Sequence, residues 1–236
     1  MSVLGRAAAL VPAAGRGERL GAGIPKALRL IGGTPMLVHA VHALADSRSV
    51  DLVVIAAPEE EVELVRGLFL DDIGAEVMVV SGGDTRQASV ARALFALPTD
   101  IDVVLVHDAA RPFVPADVVS SVVASVRQGN SAVIPAIAVT DTVKQVDERS
   151  IVIGTPDRSS LRAVQTPQGF DRLVLQAAHA AADDDVATDD AGLVERQGIE
   201  VLVIQGHEEA FKVTRPIDLL LAESVLAKQR AARAHG

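Results

Sequence analysis

Short, almost unbroken apolar runs recur through the first 140 residues, at 7–12, 52–57, 77–80, 103–106 and 133–137, and they are rich in Val, Ile and Ala. Strands covered on both faces read this way, because neither side of the pleat meets water. Between them, residues 36–45, 59–70, 87–97 and 118–127 carry apolar side chains at helical spacing. Each is long enough for the crossover that joins two parallel strands. The alternation predicts an α/β fold, a single doubly wound, mostly parallel sheet.

The rhythm changes near Thr140. Asp141 to Asp147 and Ser150 to Gly154 read as two short strands around the polar Glu148-Arg149 turn, which predicts a protruding β-hairpin arm, a subdomain at about 138–160. Its apolar residues Val143, Val146, Ile151 and Ile153 have little sequence-local core. The arm therefore docks on the main domain or embraces a second subunit, although an ordinary edge hairpin has the same pattern. Beyond it the pattern predicts a Pro-containing loop, a helix over 171–182, and a helical segment near Ala191. A strand over 200–204 follows, then a helix from Pro216 whose Ala-rich end after Lys228 frays. The acidic residues Asp183 to Asp185, Asp189 and Asp190 lack the glycine and terminal Glu of a calcium loop and read as solvated. One domain spanning 1–236 accounts for the whole pattern.

Composition narrows the function classes. With 49% hydrophobic and 22% charged residues, the 236-residue chain is neither disordered nor a disulfide-stapled miniature. Aromatic residues make up 2%, so aliphatic side chains must fill the core. The absence of Cys excludes disulfides, thiolate metal sites and cysteine nucleophiles, and it suits a reducing cytoplasm. Twenty-two Lys plus Arg against thirty-one Asp plus Glu give a net charge of −9, a poor match to a polyanion, so no nucleic-acid partner is expected. No apolar stretch approaches the roughly 18 residues that suggest a membrane span. Pro12 and the glycines after it make residues 7–14 a poor signal segment, so the mature chain is expected to start at Met1.

Candidate chemistry lies where predicted strands end. The first gives V-P-A-A-G-R-G-E-R-L and then I-P-K-A-L. Small residues after Pro12, namely Ala13, Ala14, Gly15 and Gly17, let backbone N–H groups approach an anion, while Arg16, Arg19 and Lys26 bring three positive charges to one loop. A phosphate-bearing ligand suits it; a plain surface turn is the alternative. Leu20 replaces the third glycine of a dinucleotide fingerprint, which argues against a nicotinamide oxidoreductase, and no Walker A lysine follows.

After the third strand, Gly82 and Gly83 open a helix with Asp84, Arg86 and Ser89 in its early positions. Asp84 reads either as a helix cap or, with the glycines, as part of a base-recognition loop. The fourth strand runs V-V-L-V-H-D-A-A-R-P, so Asp108 emerges at its carboxyl edge beside His107, with Arg111 nearby. A carboxylate there can hold magnesium together with substrate phosphates, or simply sit in a salt bridge. Lys212, in the strand-like run E-A-F-K-V-T-R-P-I-D-L, either snorkels or returns to face Lys26. Arg158, Thr166 and Gln168 add polar groups able to bind a substrate or to make turns. His39 and His42 have no third metal ligand in sight, and Ser159-Ser160 lacks a nucleophile elbow.

Taken in order, P-A-A-G-R-G-E-R, P-K, G-G-D-T-R-Q-A-S-V, H-D-A-A-R-P, D-T-V-K, Q-T-P-Q, T-D-D-A and F-K-V-T-R-P-I-D-L make the chain resemble the 2-C-methyl-D-erythritol 4-phosphate cytidylyltransferases of the non-mevalonate isoprenoid pathway. One departure is Ala27, where the family often has Gln. The resemblance implies a Rossmann-like nucleotidyltransferase fold and transfer of CMP from CTP to the phosphate of methylerythritol phosphate, with magnesium. It implies that Lys26, Lys212 and Arg19 serve catalysis and that the backbone of residues 14–17 holds the triphosphate. Asp108 would help place the metal. Ala13, Ala14, Gly83, Asp84 and Ser89 would contact cytosine and ribose. Arg111, Thr142, Arg158 and Thr188 would form the polyol phosphate site, to which Thr166 and Asp108 are added, with Thr142 and Arg158 reaching a neighbouring subunit of a homodimer through the arm. Transfer to another polyol phosphate, such as ribitol 5-phosphate, and a catalytically silent nucleotide-binding module are the rival functions.

Overall fold

The computed structural model describes residues 5–15, 25–182 and 188–234. Arg16, Gly17, Arg19 and Leu20, like Asp183 to Asp185, lie outside them. The central sheet is built on β1 (Arg6–Pro12), flanked by parallel β4 (Leu52–Ala57) and β6 (Ile101–Val106), with β5 (Glu76–Ser81) beyond β4. A small hairpin, β2 (Leu30–Ile31) with β3 (Thr34–Pro35), follows the first loop. On the other side of β6 lies β11 (Gln168–Asp171), which runs antiparallel to both β6 and β7 (Ala132–Ala138). β10 (Arg162–Val164) pairs with the far end of β7 on the same side as β11, while β12 (Leu202–Gln205) runs parallel along the opposite side. β10 and β11 are thus one reversed strand interrupted at residues 165–167. The sequence pattern read this stretch as a loop; its short segments, broken by Pro167, carry too few alternating positions to declare a strand.

Period-two alternation in β1 explains the two apolar layers. Ala7, Ala9 and Val11 face α1 (Met36–Ala45), α2 (Val62–Gly67) and α4 (Ala116–Arg127). Ala8 and Leu10 face α3 (Arg86–Phe95), α5 (Arg172–Ala180) and α6 (Asp190–Glu195). Small residues in the central strand let helices approach closely on both faces, which suits a core almost without aromatics. A third cluster joins Ile31 and Met36 to Phe113, Val213, and Ala222 and Leu226 of α7 (Pro216–Ala234). It ties segments from both ends of the chain to the loop after β6. α7 continues to Ala234 where fraying after Lys228 was expected; Lys228 pairs with Glu209 at 2.9 Å, and Arg230 donates to the Gly32 carbonyl.

The arm is present as β8 (Gln145–Val146) with β9 (Val152–Gly154). Its apolar side chains do not dock on the main domain: Val146, Ile151, Val152 and Ile153 are all at least half exposed. No helix among the described residues is long and apolar enough to cross a membrane.

β11 depends on Phe170, which is fully buried between the α5–α6 layer and the sheet. Phe170→Ala should lower unfolding free energy by about 3–5 kcal/mol, read by urea denaturation, because the reversed strand leaves little room for collapse around the cavity.

Candidate active site

Three strand ends form the site, at the carboxyl edge beside the switch point of the doubly wound sheet. The chain leaving β1 stays in register for one more residue, with Ala13 N–H donating to the Ala56 carbonyl at 2.8 Å. The chain leaving β5 does the same, Gly82 N–H donating to the Ala57 carbonyl at 2.7 Å. A Cβ on Gly82 would stand 2.6 Å from the Ala14 Cβ, so glycine is what allows the two loops to close on each other. Thr85, not Asp84, caps α3, its hydroxyl accepting from Ala88 N–H at 3.1 Å. Asp84 is left exposed on the cleft wall. Buried Ser89 accepts from Gly83 N–H at 3.1 Å and donates to the Thr85 carbonyl at 2.9 Å, which fixes the turn between them.

β6 leads into His107, fully buried, and Asp108. His107 Nε2 lies 3.1 Å from the Arg111 carbonyl, which can only accept, so the network assigns the proton to Nε2. Nδ1 then accepts from the Thr166 hydroxyl at 3.0 Å, and that hydroxyl oxygen in turn accepts from Asp108 N–H at 3.0 Å. Burial drives the His107 pKa down to about 4 against the pull of the Asp108 charge, so the ring is neutral at physiological pH.

The Asp108 carboxylate is the electrostatic centre. Its Oδ2 lies 2.7 Å from Lys212 Nζ and 4.0 Å from Arg111 Nε, and its Oδ1 lies 3.4 Å from Arg86 Nε. Burial pushes its pKa up, but the charges of Arg86 and Lys212 outweigh that and hold it well below the usual carboxylate range. Lys212 reaches it from an extended segment, not a strand. That segment is stitched to the loop after β6 by Val213 N–H donating to the Ala110 carbonyl at 2.8 Å and by Arg111 donating to the Ala210 carbonyl at 2.7 Å.

A cavity of about 200 Å³ results. Residues 12–15 and Lys26 line one side, residues 83–86 and Ser89 another, and Asp108 and Lys212 a third. The two lysines, from opposite ends of the chain, thus open onto one space. Lys26 begins a short 3-10 turn, Lys26–Leu28.

Other candidate residues are placed differently. Arg111 is buried and gives both terminal nitrogens to carbonyls, of Ala210 and of Val164 at 3.1 Å. Thr166 supports the Asp108 turn from behind. Gln168 is buried in the sheet, where it donates to Asp189 at 2.6 Å and accepts from Ala191 N–H. Thr142 and Arg158 lie on the exposed arm, with Arg158 donating to the Thr140 carbonyl at 2.7 Å, and Thr188 is exposed before α6. The expectation of a solvated Asp189-Asp190 loop is corrected. Asp189 caps α6, and Asp190 is buried between Arg86 at 2.7 Å and His179 at 2.9 Å. Arg86 is the site residue that sequence reasoning left without a role; its position in the first turn of the helix after Gly83 was the available signal.

The sequence model of the 2-C-methyl-D-erythritol 4-phosphate cytidylyltransferase family matches residues 7–228. The chain belongs to that family. A cytidylyltransferase of this name from Streptomyces coelicolor is 56% identical over 236 aligned positions, covering 95% of this chain and 86% of the relative. One from Rhodococcus jostii is 53% identical and covers 94% of this chain and 96% of its own. Among solved structures, the cytidylyltransferase from Thermus thermophilus is similar with a TM-score of 0.74 at 36% identity, over 93% of this chain and 98% of that one. The 4-diphosphocytidyl-2C-methyl-D-erythritol synthase from Anaerococcus prevotii gives 0.82 at 27% identity, over 94% and 99%. Fold and family therefore agree with the cytidylyltransferase resemblance seen in the motifs.

The depressed His107 pKa has a consequence for stability. The unfolded chain takes up its proton near pH 6.5 and the folded chain only near 4, so the folded state loses stability as pH falls between those values. The loss should approach about 3 kcal/mol. Asp108 and Asp190, whose pKa values are depressed in the fold, add a further loss as pH falls below the ordinary carboxylate range. Denaturant titrations from pH 7 to 4 should show this slope, and His107→Gln should flatten the upper part of it.

Proposed function

We propose that the chain transfers the cytidylyl group of CTP to the phosphate of 2-C-methyl-D-erythritol 4-phosphate, releasing pyrophosphate, in the synthesis of isoprenoid precursors. The observation that carries this is one cavity shared by a backbone-lined loop, Lys26, Lys212 and Asp108, in a chain of the cytidylyltransferase family. An acceptor phosphate oxygen attacks the α-phosphorus of CTP in line, and the bond to the pyrophosphate oxygen breaks. No protein nucleophile is required. The protein's work is to hold two anions together and stabilise charge on the equatorial and leaving oxygens.

In this reading Ala13, Ala14 and Gly15 present the first loop's backbone to the nucleotide phosphates, while Gly83, Asp84 and Ser89 shape the cytidine side. Lys26 and Lys212 act on the α-phosphate from two walls, and Arg16, Gly17 and Arg19 are assigned to the triphosphate. Lys212, already oriented by Asp108, exchanges part of that ion pair for substrate oxygens, so its charge is in place before the reaction. Among the described residues, the anionic metal-ligating groups at the cavity are the carboxylates of Asp108 and Asp84, without thiol or imidazole, a set that fits a hard divalent cation such as Mg²⁺. Asp108 would hold it with substrate phosphates, and its chemistry is to neutralise charge on the phosphate oxygens.

Arg111, Thr166 and Thr188 are assigned to the acceptor side, with Arg111 and Thr166 acting from behind the cavity wall. The acceptor side is completed by Thr142 and Arg158 from a second subunit, the arm's exposed Ile151 and Ile153 being the apolar surface that such a homodimer would cover. We place the enzyme in the cytoplasm.

Lys26→Ala and Lys212→Ala should each lower kcat by on the order of 100-fold or more with the fold intact, measured by pyrophosphate release with CTP and methylerythritol phosphate. Ribitol 5-phosphate and the other nucleoside triphosphates serve as controls. Near-normal turnover in either lysine variant would refute its role; release with ribitol 5-phosphate instead would reassign the acceptor. Sedimentation of the Ile151→Lys, Ile153→Lys double variant should shift from dimer to monomer, and a parent that sediments as a monomer would refute the shared site.

A further inference from the structure

Behind the cavity runs a polar chain that the transfer reaction as described does not use. Arg86, in the first turn of α3, places Nη1 2.7 Å from Asp190 Oδ2 and Nε 3.4 Å from Asp108 Oδ1. The other Asp190 oxygen lies 2.9 Å from His179 Nε2, and both the Asp190 and His179 side chains are nearly inaccessible. Burial pushes the Asp190 pKa up, yet the His179 hydrogen bond and the Arg86 charge hold it below the usual carboxylate range. A buried, ionised carboxylate is costly unless paired, and an apolar side chain would fill the same space at no electrostatic cost. Asp190 does not line the cavity, whereas Arg86, which it contacts, does.

We propose that Arg86 is a positioning residue for the transfer site: anchored by Asp190, it holds one oxygen of Asp108 so that the other is presented to Lys212. The two oxygens of Asp108 face different cations, Oδ1 toward Arg86 and Oδ2 toward Lys212 and Arg111. With Arg86 in place the carboxylate cannot rotate without losing one of them, and the Lys212 ammonium is held at a defined point of the cavity wall. The guanidinium is suited to this because its Nε and terminal nitrogens diverge toward two carboxylates at once, which a single ammonium does not reproduce. The same clamp fixes the start of α6, two residues after Thr188, to α3. The start of α3, the Asp108–Lys212 pair and the segment bearing Thr188 are thereby locked into one frame.

This inference rests on the cytidylyl-transfer reading, and the unmodified enzyme's pyrophosphate release tests that reading separately. The positioning role is tested by steady-state kinetics of the whole enzyme with CTP and methylerythritol phosphate. Asp190→Asn should lower kcat by about 10-fold while leaving the KM for CTP within about twofold, since a small displacement of a reacting group is expensive in rate. In a Lys212→Ala background, Asp190→Asn should cause little further loss, because its effect runs through that lysine. Arg86→Lys should not restore the rate. A folded Asp190→Asn enzyme with parental kcat, or a full 10-fold loss retained in the Lys212→Ala background, would overturn the proposal. If Asp190→Asn does not fold, Arg86→Gln carries the same test, with the same dependence on Lys212 expected and independence overturning it.

Discussion

The site depends on the need to compensate one buried negative charge. Asp108 sits at the end of β6 with its side chain mostly out of water, and an unpaired carboxylate there would be strongly unfavourable. Three cations converge on it, from α3, from the turn that follows it, and from the segment before α7. In a chain with net charge −9, this convergence makes a locally cationic cavity suited to phosphates. The carboxylate thus organises lysine and arginine side chains that would repel one another if brought together alone.

Apolar packing does the coarse placement that this electrostatics requires. Ile31 and Met36, shortly after Lys26, share a cluster with Val213, the residue after Lys212, and with α7. Burying that cluster brings both lysine-bearing segments to the same edge of the sheet, and backbone bonds between residues 110–111 and 210–213 complete the alignment. The reversed strand β11 contributes from the other side: the residue two before it, Thr166, supports the Asp108 turn through its hydroxyl, and Gln168 pins α6. Core and site are therefore not separate layers, since the same short segments serve both.

Much of this was legible in the chain. β4 and α1 occupy the predicted residues, and the other parallel strands and crossover helices differ from prediction by a few positions, because a strand buried on both faces and an amphipathic helix write their periods directly into sequence. The cavity-lining Gly15, Asp108 and Lys212 were legible for a similar local reason: each lies just beyond a predicted strand or before a predicted helix. What was missed depends on partners far away in the chain. Asp189 and Asp190 look like an acidic loop until Arg86, Gln168 and His179 are brought to them. The segment containing Thr166 looks like a loop until β6 and β7 stand apart to receive it. Asp84 looks like the cap of α3 until Thr85 is seen to take that place.

Local periodicity and turn chemistry were enough to specify the parallel strands, the crossover helices and the arm, though not the reversed strand β10–β11, because those signals act within a few residues; the order of the motifs marked the family. The pairing of Lys212 with Asp108, the neutral state of His107, the burial of Asp190 and the exposure of the arm's isoleucines were decided only in three dimensions. Charge compensation and desolvation depend on which groups meet in space, and separation along the chain carries no record of that.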